Sequence, residues 1–541
     1  MSNPSPVVLV PDQSELVIAL VAAVGTDVAM VCDHIATELD RYSYTTTTCR
    51  LSRFLEELAG ASLAGLPFDE EVWEAMSAGD KLRERWKRND ALALQAISDI
   101  AATRAERATS EITDIDGTSL PAHLERHAFI LRSLKTPEEL NTLRAVYGPR
   151  LIVIAAYSPR DKRLEHLGEQ IERSRKTADR DTWKHTPQEL IDRDEREEDD
   201  GGQNVSDTFH RADFFIRAWD TKIAREDLKR TMEILFGAPF RTPTRDEYGQ
   251  FMAAGAALRS AEFGRQVGAA IATPEGSVIA LGTNEVPIYG GGAHWEDLGT
   301  GNRDFEIGNI DTNRRHLDEL AMQLSGRVDE RLESLINGLP QSKRKDAEKL
   351  RAELVEKLPG DLRAGGLKDL TEFGRAVHAE MSAILDAALR GVSVAGATIY
   401  TTTFPCHNCA RHLIGVGIRR VVFIEPYPKS RTEELHSDAV TVDRSEADGG
   451  RLAFEPFVGV APRRYLEMFN AAARVRLGHL PRKDGDGKAR AFSRQAARPV
   501  FIDGGMSEFR PLLHGYRAKE ALALDYFDAY SKQNEDPSEG S

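Results

Sequence analysis

Short apolar runs alternate with longer amphipathic segments along the first 240 residues. Each run has the length of a buried strand, and the segments between the runs have helical spacing. Strands that alternate with helices are typical of a parallel sheet with helices on both faces. We therefore predict a parallel α/β domain over residues 1–240, closed by a proline-containing boundary near residue 240. Its strands are expected at 15–24, 44–51, 127–134, 151–157 and 212–218.

The first predicted strand ends in the turn Gly25-Thr26-Asp27, and a helical pattern follows to about residue 40. Strand, glycine turn and helix also open a phosphate-binding loop. A working Walker loop would have lysine at Thr26 and glycine at Leu20, so ATP hydrolysis is not expected. Two interpretations stay open: a scaffold turn made by Gly25, and a degenerate phosphate loop that still binds a nucleotide. The later charged run 193–200 is interpreted as a solvated helix end without chemistry.

A second domain begins after residue 240. Thr244 and Glu247 have the spacing of a capping box and open an alanine-rich helix. A predicted hairpin, a strand and two further helices then indicate a three-layer α/β/α domain over 241–475. The strands are expected at 266–273, 278–283, 397–402 and 419–424, and one helix at 376–390.

An insertion at about 290–372 interrupts this second domain. It contains a strongly charged helical pattern over 313–358, with glycine-rich stretches on both sides. Such a helix suits a surface or an oligomer contact, whereas hinge-like glycines would suit a lid, and both interpretations stay open. A basic amphipathic helix is expected at 463–477. Residues 476–541 are predicted to form a C-terminal extension whose end has a disordered composition.

Two short motifs carry the candidate chemistry: His378-Ala379-Glu380 and Pro405-Cys406-His407-Asn408-Cys409. One imidazole and two thiolates form a ligand set that suits Zn²⁺ and leaves a fourth position for water. Glu380 is then the candidate proton carrier, as in zinc nucleoside deaminases. We expect His378 and Glu380 in the first turn of one helix, and Pro405 at the first position of the next.

A redox cysteine pair or a structural zinc site would be the simpler explanation of Cys406 and Cys409. The chain has only two other cysteines, Cys32 and Cys49, and they do not form a second closely spaced pair. A structural zinc site also does not require a proton carrier such as Glu380. The catalytic interpretation is therefore favoured.

Composition narrows the class of protein. The chain has 541 residues, of which 41% are hydrophobic and 29% charged, and its net charge of −15 argues against a surface that coats nucleic acid. Apolar runs are too short for a bilayer, and the N-terminus lacks the pattern of a signal peptide, so we expect a cytoplasmic protein without membrane contact. Two rival functions remain: a polynucleotide deaminase acting on tRNA or single-stranded DNA, which would need a basic aromatic groove, and a non-catalytic sensor or binding protein.

Residues 259–424, without the insertion, resemble the deoxycytidylate deaminase family. The resemblance rests on 265–269 (Arg-Gln-Val-Gly-Ala), on 282–284 (Gly-Thr-Asn) and on the two metal motifs. When residues 15–27, 128–137 and 202–215 are added, the chain is similar to the bacterial anti-phage dCTP deaminases, which fuse a P-loop-kinase-like domain to a zinc deaminase.

This resemblance implies deamination of dCTP, dCMP or both to the uracil form, which would deplete the dCTP that phage replication needs. It implies His378, Cys406 and Cys409 as zinc ligands and Glu380 as general acid and base. Free deoxycytidine nucleotides would be the partners, and a homo-oligomer is expected. Whether an inhibitory RNA or a protein regulator restrains the activity stays open. The candidate substrate contacts are Asn284 for the sugar hydroxyl, Arg265 for phosphate, and Lys429 and Ser430 as further phosphate candidates.

Overall fold

A computed structural model describes residues 15–60, 63–113, 119–176, 180–196, 205–298, 302–307, 309–365, 367, 370, 372–426, 430–442, 450–476, 481–499 and 519–528. The chain divides into an N-terminal unit, made of residues 1–247 and 457–541, and a central unit, made of residues 248–456. Within the described residues, no helix combines the length and the apolar character needed to cross a bilayer.

The N-terminal unit contains the predicted alternation of strands and helices. Its elements up to residue 235 are β1 (Leu16–Val21), α1 (Val28–Asp40), β2 (Thr45–Arg50), α2 (Phe54–Ala59), α3 (Phe68–Trp86), α4 (Ala91–Arg107), β3 (Glu111–Thr113), β4 (Ser119–Pro121), β5 (His127–Leu134), α5 (Pro137–Tyr147), β6 (Leu151–Tyr157), α6 (Arg160–Arg175), α7 (Pro187–Arg196), α8 (Val205–Phe209), β7 (Phe214–Arg217) and α9 (Thr221–Leu235).

Five strands of the sheet of this unit have the order β7-β6-β1-β5-β2, and neighbours among these five are parallel. All six residues of β1 are buried, as expected for a central strand with both faces covered. The helix α5 begins with a capping box in which the Thr136 hydroxyl and the Glu139 carboxylate each accept a backbone N–H. The parallel α/β sheet predicted for this part of the chain is therefore confirmed.

The central unit is built on a mixed sheet. Its elements, with the helix that leads into it, are α10 (Arg245–Ala257), β8 (Gly268–Ala272), β9 (Val278–Thr283), α11 (Thr312–Asn337), α12 (Gln341–Ala364), α13 (Ala379–Leu389), β10 (Thr398–Thr403), α14 (His407–Gly415), β11 (Arg420–Glu425), α15 (Thr432–His436), β12 (Val440–Thr441) and β13 (Leu452–Pro456).

Helices cover both faces of this second sheet, which has the order β12-β13-β11-β10-β8-β9. Ala269 lies opposite Gly282 in the antiparallel pair β8–β9, so Gly268 and Gly282 face opposite sides. A Cβ at Gly268 would lie 2.0 Å from the carbonyl oxygen of Ala253 in α10, and a Cβ at Gly282 would lie 2.0 Å from that of Ala379 in α13. The absence of a side chain lets α10 and α13 pack closely on opposite faces, and the predicted three-layer arrangement is observed.

The insertion forms two helices where one continuous pattern was predicted. α11 ends at Asn337, and α12 begins at Gln341 after Gly338, Leu339 and Pro340. α12 has no buried residue, although it packs along α11, because its sequence is charged around most of its circumference. The prediction of a surface or lid role for the insertion stays open.

The chain returns to the N-terminal unit after residue 456, earlier than the predicted boundary at 475. The short strand β14 (Gly459–Val460) pairs antiparallel with β7 at the sheet edge, and the Glu247 carboxylate accepts the Val460 N–H at 3.0 Å. The predicted helix at 463–477 is wrong as a single element, because the chain bends at Asn470 between α16 (Tyr465–Phe469) and α17 (Ala471–Arg476).

Candidate metal centre

His378 is held at the N-terminus of α13 by a bridge to the end of β9. Its backbone is extended, with φ −60° and ψ 150°, so it is the N-cap residue and not the first-turn residue that the sequence predicted. The N–H of the preceding Val377 donates to the carbonyl of Glu285 at 3.1 Å, within an antiparallel bridge. This bridge places Asn284 and His378 next to each other on neighbouring chain segments.

Cys406 and Cys409 lie at the N-terminus of α14. Cys406 is the N-cap, with φ −68° and ψ 162°, so Pro405 precedes the helix and the prediction that it would be the first helical residue is wrong. Ser430 and Thr432 donate to the carbonyl of Pro405 at 3.0 and 3.3 Å. Two hydroxyls therefore fix the backbone immediately before the first cysteine.

The two motifs bring one imidazole and two thiols together. His378 Nδ1 lies 3.4 Å from Cys406 Sγ and 3.4 Å from Cys409 Sγ, and the three ligand atoms lie within 4.8 Å of one another. Sulfur and imidazole donors at this spacing surround a space that suits a tetrahedral Zn²⁺ with one open position. The predicted ligand set is thus assembled in the fold.

The pKa values of the three side chains are strongly linked. Hydrogen bonding from Cys409, opposed by burial and helped by the His378 imidazole, lowers the pKa of Cys406 to about 4. The hydrogen bond to Cys406 raises the pKa of His378 to about 9, although burial opposes this shift. The interaction with Cys406 and burial raise the pKa of Cys409. At neutral pH the group therefore holds a thiolate beside an imidazolium, and binding of a metal would release the protons of His378 and Cys409.

Glu380 lies beside these ligands. Its side chain is 4% exposed, and Cys409 Sγ donates to its Oε2 at 3.5 Å. Burial raises the pKa of Glu380 above its usual range. A carboxyl group of raised pKa next to a metal site is suited to accept and return a proton.

The predicted substrate contacts are placed as follows. Asn284 Oδ1 accepts from Val267 N, and its Nδ2 donates to the carbonyl of Arg265, both at 2.7 Å, so the amide side chain shapes the loop before β8. The guanidinium of Arg265 is 56% exposed and forms an ion pair with Glu425 at the end of β11. Ser430 holds Pro405, as described above. Lys429 lies outside the described residues.

The residues of the predicted phosphate loop contact other residues of the N-terminal unit. Gly25 adopts φ +89° and lies against Arg163, and Asp27 caps α1 by accepting the Met30 N–H at 3.0 Å. Thr26 is buried. Asp194 is buried as well and accepts the Val24 N–H at 2.9 Å, so the interpretation of its charged run as solvated is wrong at this residue.

Two glutamates near the metal motifs were missed by the sequence reasoning. Glu285 is 1% exposed, and its carboxylate accepts the Ala261 N–H at 3.1 Å. Burial, together with the nearby carboxylates of Asp304 and Glu285, raises the pKa of Glu262 to about 7. The sequence did contain a signal for both residues: Glu285 follows Asn284 after a predicted strand, and Glu262 precedes Arg265 before another. Polar residues in loops next to strands commonly contact ligands.

Comparison with known families supports the metal centre. Residues 243–425 match the family model of the cytidine and deoxycytidylate deaminase zinc-binding region. This matched segment contains His378, Cys406, Cys409 and Glu380. Together with the His-Cys-Cys group, the match confirms the prediction of zinc as the cofactor.

Individual relatives match shorter segments. The chain is 46% identical over 55 residues to a deoxycytidylate deaminase of Enterobacteria phage T2, covering 10% of this chain and 29% of the relative. It is 42% identical over 76 residues to ComE operon protein 2 of Bacillus subtilis, covering 14% and 40%. The crystal structure of a dCMP deaminase from the cyanophage S-TIM5 aligns at 15% identity and a TM-score of 0.21, covering 40% of this chain and 99% of that one. The chain thus spans well under half the length of the two curated relatives.

Proposed function

We propose that the chain is a zinc-dependent hydrolase that deaminates free deoxycytidine nucleotides, converting dCTP, dCMP or both to dUTP or dUMP. The observation that carries the proposal is the buried Glu380 carboxyl beside a His-Cys-Cys ligand group. A structural zinc site would have no function for that carboxyl, whereas hydrolytic deamination needs a proton carrier next to the metal.

The reaction adds water to C4 of cytosine and releases ammonia, leaving a carbonyl at C4. Zn²⁺ held by His378, Cys406 and Cys409 would supply Lewis-acid activation of water at neutral pH. Glu380 takes the two protons of the attacking water in turn, and passes the first to ring N3 and the second to the departing amino group. Its raised pKa suits both steps, because the carboxyl can hold the proton between them.

Recognition of a free nucleotide is assigned to groups around the same centre. Asn284 lies next to His378 across the bridge at Glu285 and is the candidate for the sugar hydroxyl. The exposed guanidinium of Arg265 is the phosphate candidate, since it can leave Glu425 for a phosphate oxygen. Lys429 and Ser430 are proposed as further phosphate contacts. The net charge of −15 favours a free nucleotide over a polynucleotide.

A direct assay tests this function. Zinc-loaded full-length protein is incubated with dCTP, dCMP, CTP and a cytosine oligonucleotide, and products are separated by anion-exchange chromatography. We expect dUTP, dUMP or both, with release of ammonia, and product formation at least about a hundredfold slower with the Glu380→Ala variant. Conversion of the oligonucleotide alone would establish a polynucleotide deaminase in place of the proposed enzyme.

The biological role we propose is defence against phage by depletion of dCTP, in a cytoplasmic homo-oligomer. It is supported by the resemblance of nearly the whole chain to fused anti-phage deaminases. Bacteria expressing the wild-type chain should lose dCTP after infection and yield fewer plaques than bacteria expressing Glu380→Ala. Equal dCTP pools and plaque counts in the two strains would refute this role without affecting the enzymatic proposal. An inhibitory RNA or protein would appear as a component that co-purifies and lowers the activity.

A further inference from the structure

The carboxyl edge of the N-terminal sheet has the topology of a ligand site. From β1 the chain continues to β2, which lies to one side of β1 in the strand order. From β6 it continues to β7, which lies on the other side of β1. Ligands of open α/β sheets bind outside the carboxyl ends of the strands where the connections diverge in this way. Val24 follows β1 at this edge, and Lys135 follows β5.

The carboxylate of Asp194 occupies this position. It comes from α7, its side chain is 3% exposed, and its Oδ2 accepts the Val24 N–H at 2.9 Å. Its Oδ1 accepts from Lys135 Nζ at 3.3 Å, and the same ammonium lies 3.4 Å from the carbonyl of Ala22. A loop N–H and an ammonium that converge on one oxyanion are the groups with which proteins bind phosphate.

The same loop contains a further buried hydrogen-bond donor. Thr26 is 8% exposed, and its hydroxyl has no hydrogen-bond partner among the described residues. An unsatisfied buried hydroxyl costs free energy and calls for an explanation. The Asp194 carboxylate accepts from Val24 and from Lys135 but not from the Thr26 hydroxyl. A phosphate has further oxygens that could accept from a third donor in this loop.

α7 is attached to the unit by a small apolar cluster and by Arg193, which donates to the Trp73 carbonyl, to Ser77 and to Asp80 of α3. Leu190 and Ile191 pack with Leu167 and Ile171 of α6, in a small cluster separate from the main core of the unit. Moving Asp194 therefore requires a local change in α7 and leaves the sheet intact.

We propose that this edge is a phosphate-binding site whose ligand position is held by the protein's own Asp194 carboxylate. Lys135 supplies the cation that the glycine turn lacks, and a phosphate-bearing ligand binds when Asp194 withdraws from Val24 and Lys135. The site is separate from the proposed deaminase reaction and does not rest on it.

Isothermal titration calorimetry on full-length Asp194→Asn tests the proposal, with pyrophosphate as the probe. Removing a like charge from the site should tighten pyrophosphate binding by about tenfold or more relative to wild type. The gain should disappear in the double variant Asp194→Asn/Lys135→Ala. Asp192→Asn is the matched control, because Asp192 lies on the same helix but pairs with Arg160 at the surface. It should bind like wild type.

A folded Asp194→Asn that binds pyrophosphate no better than wild type would overturn the proposal and leave Asp194 as a structural ion pair. Repeating the titration with ATP distinguishes a bare phosphate site from a nucleotide site. If the variant does not fold, hydrogen exchange of wild type decides the question. Exchange across 187–196 should accelerate when pyrophosphate is added, and unchanged exchange there would refute displacement of α7.

Discussion

Each unit holds a cation against a carboxylate near the end of a parallel strand, and the two pairs differ in burial. In the N-terminal unit Lys135 pairs with Asp194, with side chains 21% and 3% exposed. In the central unit Arg265 pairs with Glu425, with side chains 56% and 15% exposed. The buried pair satisfies a loop N–H as well, whereas the exposed pair leaves its guanidinium within reach of solvent. The Lys135–Asp194 pair therefore fills its site with a carboxylate of the protein, whereas the Arg265–Glu425 pair keeps the guanidinium accessible.

The same contrast extends to the residues around each pair. In the N-terminal unit Asp27 caps α1, and Asp194 accepts the Val24 N–H of the loop after β1. Both carboxylates therefore bind backbone N–H groups of the protein itself. In the central unit the side chains of His378, Cys406 and Cys409 contact mainly one another. Two thiols and an imidazole that converge on one point form the donor set that Zn²⁺ takes in proteins.

The largest expected effect comes from removing a metal ligand. Cys409→Ser should abolish both zinc retention and deaminase activity, because serine replaces a thiolate of the three-ligand set. Zinc content after gel filtration with a chelator, measured by mass spectrometry, checks the first effect. Cys32→Ser is the matched control, since Cys32 is an equally buried free thiol in α1 of the N-terminal unit. Equal zinc loss in both variants would contradict the assignment of the metal centre.

The next effect concerns the proton carrier. Glu380→Ala should keep zinc but lower kcat by roughly 10²- to 10⁴-fold, the usual contribution of general acid–base catalysis. Steady-state kinetics and metal analysis on the same sample measure both quantities. Glu139→Ala removes an equally buried carboxyl from the capping box of α5 and should cost about 1 kcal/mol of stability with kcat unchanged. An active Glu380→Ala enzyme would remove the proposed role.

Local sequence patterns predicted the parts of this molecule that depend on neighbouring residues. The strands at 127–134 and 151–157, the capping box at Thr136 and the ligand group of His378, Cys406 and Cys409 all follow from spacing and residue type. Asp194 could not be assigned in this way, because its partner Val24 is 170 residues away and the surrounding charges resemble a solvated surface. The return of Gly459 and Val460 to β7 was missed for the same reason.

A smaller effect is expected from the close packing that positions His378. In Gly282→Ala the new Cβ would meet the Ala379 carbonyl at 2.0 Å, so α13 must move away from β9. We expect a loss of roughly 3 kcal/mol in unfolding free energy, with weaker zinc retention, measured by denaturant titration. Gly255→Ala is the control, because Gly255 is exposed in α10 with open space around its Cβ position. It should be neutral or stabilising by about 0.5–1 kcal/mol.

The smallest effect tests whether the exposed pair of the central unit serves the substrate. Arg265→Ala should raise KM about tenfold for dCMP or dCTP, because a charge-assisted hydrogen bond to phosphate is lost, and should leave kcat nearly unchanged. Deoxycytidine has no phosphate, so its KM should not change. Arg327→Ala, on the exposed surface of α11, controls for the loss of a positive charge. Glu425→Gln should have the opposite effect and lower the nucleotide KM, since it frees Arg265 from its partner. If Arg265→Ala raises the KM of the nucleoside as much as that of the nucleotide, Arg265 supports the loop of Asn284 and does not bind phosphate.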